Sequence, residues 1–287
     1  MFMKVDAFSK SYVAFGFLFV SLLATCTLSQ LYVAEQKAVA SEEMPVYNPP
    51  VKNAEVIRII AGEADKANQE TAKSRGVMRS VTRGMVRGMT RGVVRKASGD
   101  SAEAQEVFLP SRMSLIAPQH TGQTSNSQPV LLWYISGPWP EKIEFRLNEI
   151  GVAEPLADTD IAGPDKEGFC RINLADYKIS LKPGAEYECF LTIASDEEER
   201  SADFTAGAGI RYVKPSDELS KRITETPKEK QYHIYADQGY WYDAIDSLSQ
   251  LIDVRPEDKT LRAHRAALLN QVKLSAEAAY DGGGSAK

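Results

Sequence analysis

The strongest chemical signature in this chain is a run of arginines. Arg75, Arg79, Arg83, Arg87, Arg91 and Arg95 each stand four positions after the last, Lys96 follows, and no acidic residue lies between Arg75 and Ser98. Guanidinium groups bind phosphate, sulfate or carboxylate by charge and by forked hydrogen bonds. The 287-residue chain has a formal charge of −5, so these seven cations leave −12 on the remainder. One basic segment in an acidic protein predicts an anionic partner, or contact with the protein's own acidic surface.

Acid–base and metal chemistry find less support. The three histidines, His120, His233 and His264, stand at no ligand spacing to one another, to cysteine or to carboxylates, which favours solvated or packing roles. No phosphate-cradling glycine loop, HExxH or nucleophile elbow is present. Asp196 to Glu199 are four adjacent carboxylates without the alternation that turns ligands inward, so they read as a solvated hairpin tip rather than a Ca²⁺ loop. The sequence therefore predicts no catalytic residue, no metal site and no cofactor.

Aromatic residues are the other candidates for contact chemistry. Tyr232, Tyr235, Tyr240, Trp241 and Tyr242 cluster around one turn, either as a peptide or glycan platform or as core. Trp139, between Pro138 and Pro140, is harder to bury, and is either the better exposed contact or a turn aromatic capping the sandwich edge. Cys170 and Cys189 are the two cysteines beyond the N-terminal region. Either they pair as a disulfide across neighbouring strands or they are two separate buried thiols.

The chain around these groups divides by composition. Tyr12 to Leu28 is apolar and uncharged behind Lys4 and Lys10, and Ala38-Val39-Ala40 fits a small-x-small cleavage pattern. Residues 1–40 are thus a signal peptide or a retained N-terminal anchor, and either predicts export to the periplasm or cell envelope. Residues 41–106 read as a largely disordered linker. Within it, a short helix is expected from an Asn53 cap, with Val56, Ile57, Ile60, Ala64 and Ala67 at helical spacing. In an α-helix, steps of four would carry six arginines about 200° around the axis. In a strand they would share one face with Val77, Val81, Met85, Met89 and Val93, which suits no core. A segment that orders only on a partner is the consistent reading of 75–96.

From Val107 short β-rich runs alternate with turns. Strands are expected at Val107 to Ile116, Val130 to Ile135, Lys142 to Ile150, Phe169 to Leu174, Glu186 to Ala194 and Phe204 to Val213, which predicts an all-β antiparallel sandwich over 107–214. Tyr187, six residues after Leu181, has the spacing of a tyrosine corner, and Trp133 the place of a core indole. Both resemble immunoglobulin or fibronectin type III sandwiches. Over 215–276 the period turns helical, with helices expected at Asp217 to Thr224, Glu229 to Gln238, Trp241 to Val254 and Glu257 to Leu274. Tyr235, Gly239, Trp241, Ala244, Leu248 and Pro256 resemble one tetratricopeptide-type hairpin, which needs a surface to dock on. Residues 277–287 read as a flexible tail.

The order of the arginine-rich stretch, Pro118, Gly122-Gln123-Thr124, Leu132-Trp133-Tyr134, Phe145-Arg146-Leu147, Pro183-Gly184, Tyr187 and Gly239-Tyr240-Trp241-Tyr242-Asp243-Ala244 resembles a bacterial family, domain of unknown function 928. The resemblance covers about Tyr47 to Leu274 and implies an exported protein without an assigned activity. The chain departs from the family pattern in its long, regular arginine repeat. The expected function is a non-enzymatic protein-interaction module of the envelope, tethered through Arg75 to Lys96. Its partner would be an envelope protein or an anionic surface of lipid headgroups or acidic glycans, and membrane association would be peripheral or through the N-terminal anchor. Nucleic acid is not expected after export. The alternative is a carbohydrate-binding module using Trp139, Tyr240, Trp241 and Tyr242.

Overall fold

Two strands of contrasting pattern organise the structure. Val130–Ile135 is apolar throughout and buried on both faces, as a strand covered on two sides must be. Lys142–Glu149 alternates instead, burying Ile143, Phe145 and Leu147 and turning Lys142, Glu144 and Arg146 outward. The first strand lies in an inner sheet and the second in an outer one. The computed structural model describes residues 43–50, 58–61, 93–95, 106–108, 110–194 and 203–283. Of the chain's two units, Met1–Met44 and Pro45–Lys287, the second holds all the elements below.

In chain order the strands are β1 (Ile60–Ala61), β2 (Val93–Arg95), β3 (Glu106–Phe108), β4 (Met113–Leu115), β5 (Gly122–Thr124), β6 (Val130–Ile135), β7 (Lys142–Glu149), β8 (Ala157–Ala162), β9 (Gly168–Asn173), β10 (Glu186–Ile193) and β11 (Phe204–Tyr212). Five helices follow: α1 (Asp217–Glu225), α2 (Lys228–Asp237), α3 (Trp241–Val254), α4 (Lys259–Gln271) and α5 (Ser275–Asp281). This is a β-rich region followed by helices. The inner sheet has the order β1-β4-β6-β9 and the outer sheet β5-β11-β10-β7-β8. All their pairings are antiparallel except β5 with β11, which is parallel, so the outer sheet is mixed where an antiparallel one was expected.

Helix α3 lies over β6 and β5. Arg171 on β9 pairs with Asp253 on α3 at 2.6 Å. The inner sheet therefore meets helices on one face and the outer sheet on the other, which accounts for the apolar run in β6. Residues from both sheets and from α2 to α5 form one hydrophobic core. Trp133 lies in it, as expected, and the Lys182 amide donates to the Tyr187 hydroxyl at 2.9 Å, closing the corner that the Leu181–Tyr187 spacing predicts.

Several expectations are corrected. Ile60, expected on a helix, is in β1. Its neighbour Ile59 exchanges backbone hydrogen bonds with Gly207 of β11 while β1 pairs with β4, so this short strand stitches the two sheets together. The expected helix's other positions, Asn53, Val56, Ile57, Ala64 and Ala67, lie outside the described residues. The expected strand from Val107 to Ile116 is two strands, β3 and β4, separated around Pro110, and β3 pairs with β2. Thus Arg95, placed in the disordered segment, belongs to a strand. Strands β5 and β8 were not anticipated, and the expected C-terminal tail begins inside helix α5. The N-terminal apolar run, the other repeat cations and the Asp196 to Glu199 loop lie outside the described residues. Among those described, no helix is long and apolar enough to cross a membrane.

Candidate functional site

The aromatic residues proposed as contacts are in the interior. Trp139 is only 3% exposed, with its indole N–H donating to the Lys142 carbonyl at 3.2 Å and its amide to the Pro164 carbonyl at 2.8 Å. The flanking prolines shape a turn that folds the ring inward rather than out, which corrects the surface role. Tyr240, Trp241 and Tyr242 are likewise buried. Trp241 Nε1 donates to the Ile116 carbonyl at 2.8 Å and the Tyr242 hydroxyl to the Gly209 carbonyl at 2.8 Å, so these two side chains join the helices to both sheets. The ring of Tyr47 meets Trp241 edge-on at 4.9 Å.

Two glycines make this junction fit. Gly239 ends α2 at φ +81°, a left-handed conformation that glycine adopts without strain. A Cβ at Gly122 would come within 2.8 Å of the Tyr242 ring. Asp243, in the first turn of α3, accepts from the Ser125 amide at 2.8 Å and the Ser125 hydroxyl at 2.7 Å. Desolvation dominates over those bonds and pushes its pKa up to about 6.

The sign of the resulting pH effect follows from the raised value. Below about pH 4 both states carry the proton. Between the ordinary value of 3.8 and about 6 the unfolded chain ionises first, so stability falls as pH rises through that window and then levels off. The loss is at most about 3 kcal/mol at roughly 1.4 kcal/mol per pKa unit, and less in proportion to the solvent the carboxyl retains. Asp243→Asn is expected to flatten the urea-unfolding midpoint between pH 4 and 6.5, and an unchanged slope would exclude Asp243 as its source.

The two cysteines are unpaired thiols, Cys170 on β9 of the inner sheet and Cys189 on β10 of the outer. They lie on different sheets, so of the two alternatives the structure has separate thiols rather than a disulfide. Burial pushes the Cys170 thiol up to about 11 and Cys189 higher still, so neither is a reactive thiolate at neutral pH. His120 accepts or donates at 3.1 Å with the Tyr47 hydroxyl, and burial lowers its pKa. His264 is buried with Nδ1 at 2.6 Å from the Tyr232 hydroxyl. Among the described residues no group of His, Cys, Asp and Glu could hold a metal ion.

Among the described residues, a surface open to a ligand lies at the β7–β8 edge of the outer sheet, whereas β11 is buried on both faces. At one end the β7–β8 loop curls beside β7 and β10 and encloses a groove of about 640 Å³. Ile150 and Val152 on this loop are 45% and 49% exposed, high for large apolar side chains. Glu149, Asp158, Glu186, Glu188 and Arg146 line the groove. Three of the four carboxylates are engaged in ion pairs, Arg146 with Asp158 at 2.8 Å, Lys182 with Glu149 at 2.8 Å and Arg211 with Glu186 at 3.7 Å, and Glu188 is buried. No single motif announces this site. Its one sequence signal is the exposed IGV at a predicted strand end, beside alternating charged positions.

A family model described as Domain of Unknown Function (DUF928) matches residues 86–281. The chain belongs to the DUF928 family. In this DUF928 chain the Gly239-to-Ala244 motif is a buried junction between helices and sheets rather than a surface. No curated protein matches the sequence. A solved structure with slight similarity is a multi-domain immunophilin from Arabidopsis thaliana. It is 9% identical, covering 61% of this chain and 93% of its own, and its TM-score of 0.14 is too low to assign a fold.

Proposed function

We propose that this DUF928 protein is a non-enzymatic protein-interaction module of the bacterial cell envelope, exported behind its N-terminal apolar run. The exposed β7–β8 edge of the outer sheet is its contact surface, and Arg75 to Lys96 hold it electrostatically to lipid headgroups or acidic glycans. The observation that carries this reading is the asymmetry of cover: helices pack over the inner sheet, whereas at one edge of the outer sheet β7 and β8 turn Lys142, Arg146, Asp158 and Asp160 to solvent beside a groove with exposed Ile150 and Val152. Exposed apolar groups rimmed by charge mark interaction sites. An immunoglobulin- or fibronectin-like lineage is supported by the Tyr187 corner and the two-sheet strand order, and a tetratricopeptide-like hairpin by the tight α2–α3 turn at Gly239.

The test is envelope fractionation at graded salt, comparing the full chain with one in which the arginines at 75, 79, 83, 87 and 91 are glutamine. Near an anionic surface each cation contributes about 1 kcal/mol, screened by salt. The full chain is expected to stay with the envelope at low salt and leave it as salt rises, and the variant to be released at least tenfold more readily at low salt. Equal retention at every salt concentration would sink the tether. Val152→Asp is expected to abolish a photo-cross-link placed at Ile150 to an envelope protein, and an unaffected cross-link would displace the contact surface from this face.

A further inference from the structure

We propose that the cleft between the C-terminal ends of α2 and α4 is a binding site for an extended Pro-x-Tyr-Asn peptide, and that Pro45 to Asn48 are its built-in, releasable ligand. The site shares no residue with the groove beside the β7–β8 loop. From Met44 to Asn48 exposed and buried residues alternate, the period of an extended chain, with Pro45 and Tyr47 turned inward and Val46 57% exposed. Gln271, the last residue of α4, engages the backbone of this segment in both directions. Its Oε1 accepts from the Tyr47 amide at 2.8 Å and its Nε2 donates to the Pro45 carbonyl at 2.9 Å. A neighbouring strand would satisfy the same two groups, so this contact selects an extended backbone whatever side chain stands between them. On the α2 side the Asn48 amide donates to the Ala236 carbonyl at 3.1 Å, and its side-chain Nδ2 to Asp237 at 2.9 Å. Tyr47 supplies the anchor. Its ring meets Trp241 edge-on and its hydroxyl lies 3.1 Å from His120 Nε2, so both the ring and its polar tip are matched. Pro45 brings no N–H that would need a partner where it is buried. Gly239 permits the close approach, since a Cβ there would come within 2.9 Å of the Asn48 carbonyl oxygen.

The segment is built as a ligand rather than as a layer of the fold. The groups that hold it, from His120 to Gln271, fall within residues 86–281 matched by the family model, and the segment itself lies ahead of them. Site and ligand are thus separate stretches of chain. Residues 45–50 belong to no helix or strand, so their departure unpairs no ladder. Gln271 and Asp237, which hold the segment from either side, are exposed side chains. A contact of a few residues around one aromatic anchor binds weakly as a free peptide. Tethering raises its effective concentration to about millimolar, which keeps the cleft largely filled. A peptide of the same chemistry supplied from outside competes for the cleft, so the segment acts as an exchangeable cover over a peptide site.

The experiment uses a labelled synthetic peptide of residues 43–50, EMPVYNPP, as the probe. Its binding is measured by fluorescence anisotropy to the full chain and to the full chain carrying Tyr47→Ala. The peptide is expected to bind the variant saturably, and the unaltered chain at least tenfold more weakly because the resident segment competes. Gln271→Ala or Asp237→Lys, added to Tyr47→Ala, is expected to weaken the peptide about tenfold and about threefold respectively, without a lower urea midpoint. Both side chains are exposed and can be altered without opening the core, so a loss in either reads on the cleft. A second measurement needs no variant. Peptide at about 1 mM, added to the unaltered chain, is expected to strip hydrogen-exchange protection from the Tyr47 and Asn48 amides, both hydrogen-bonded while the segment is seated. Equal binding to the two chains, unchanged protection at Tyr47 and Asn48, or indifference to both Gln271→Ala and Asp237→Lys overturns the proposal and makes the segment a fixed part of the fold. Self-association of the unaltered chain that disappears with Tyr47→Ala would seat the segment on a second copy, and overturns it as well. Peptide binding is read without any envelope, so this site can fail while the tether and the β7–β8 contact surface stand, and the reverse.

Discussion

Asp281→Ala is expected to destabilise the protein by about 3–5 kcal/mol, the usual cost of removing one partner from a buried ion pair. Asp281 accepts from Arg265 at 2.6 and 2.7 Å, in the two-pronged geometry that guanidinium and carboxylate favour. Arg265 also donates to the Ser249 hydroxyl at 3.0 Å, and its guanidinium lies 4.0 Å from the centre of the Phe169 ring. Both partners are nearly inaccessible, so the alanine variant leaves a buried cation without its counter-charge. The second anchor of α5, Glu277, is fully buried and accepts from Arg112 at 2.7 Å and from the Ser114 hydroxyl. Urea unfolding checks the magnitude, as a lower midpoint at constant slope. Replacing both partners, Arg265→Met with Asp281→Leu, is expected to recover most of the loss. A loss below about 1 kcal/mol for Asp281→Ala would mean that α5 contributes little to the fold.

Trp241→Ala is the second large effect, also expected at about 3–5 kcal/mol for a fully buried tryptophan. Its 0% exposure, its hydrogen bond to Ile116 and its edge contact with Tyr47 make it the main link from helix to sheet. The cavity left behind lies between layers, so the helices are expected to loosen first. Hydrogen exchange reads this as lost protection in α2 and α3 before β7 and β10. Trp241→Phe keeps most of the volume and loses the indole donor, and is expected to cost about 1–3 kcal/mol, chiefly for the Ile116 carbonyl left without that bond. Uniform loss of protection across sheets and helices would show that the layers unfold as one unit and that no separate seam exists.

Much of the layering was legible in the residues. The strands β6, β7, β9, β10 and β11 lie within one residue of the β-rich runs expected for them. The Leu181-to-Tyr187 spacing gave the corner. Gly239 gave the helix break, and three of the expected helices begin and end within one residue of the observed ones. The site was legible only in part. The arginine repeat was recognised, but the groove was not, because it is made by β7, β10 and the loop between β7 and β8, which are brought together by pairing. Trp139 and the Tyr240 to Tyr242 cluster were read as candidate contacts for a reason that local sequence could not resolve. Neighbouring prolines or tyrosines do not say which way a ring turns.

The sequence by itself determined the period of each element, its caps and turns, and the segregation of positive charge into one segment, because these depend on neighbours a few residues away. Tertiary structure alone decided which surfaces are covered. Ile60 became a strand by meeting β4, Glu277 became buried by meeting Arg112, 165 positions distant, and Trp241 became a junction by reaching Ile116, 125 positions distant. Burial, and with it the difference between a core aromatic and a contact aromatic, is a property of such distant pairs.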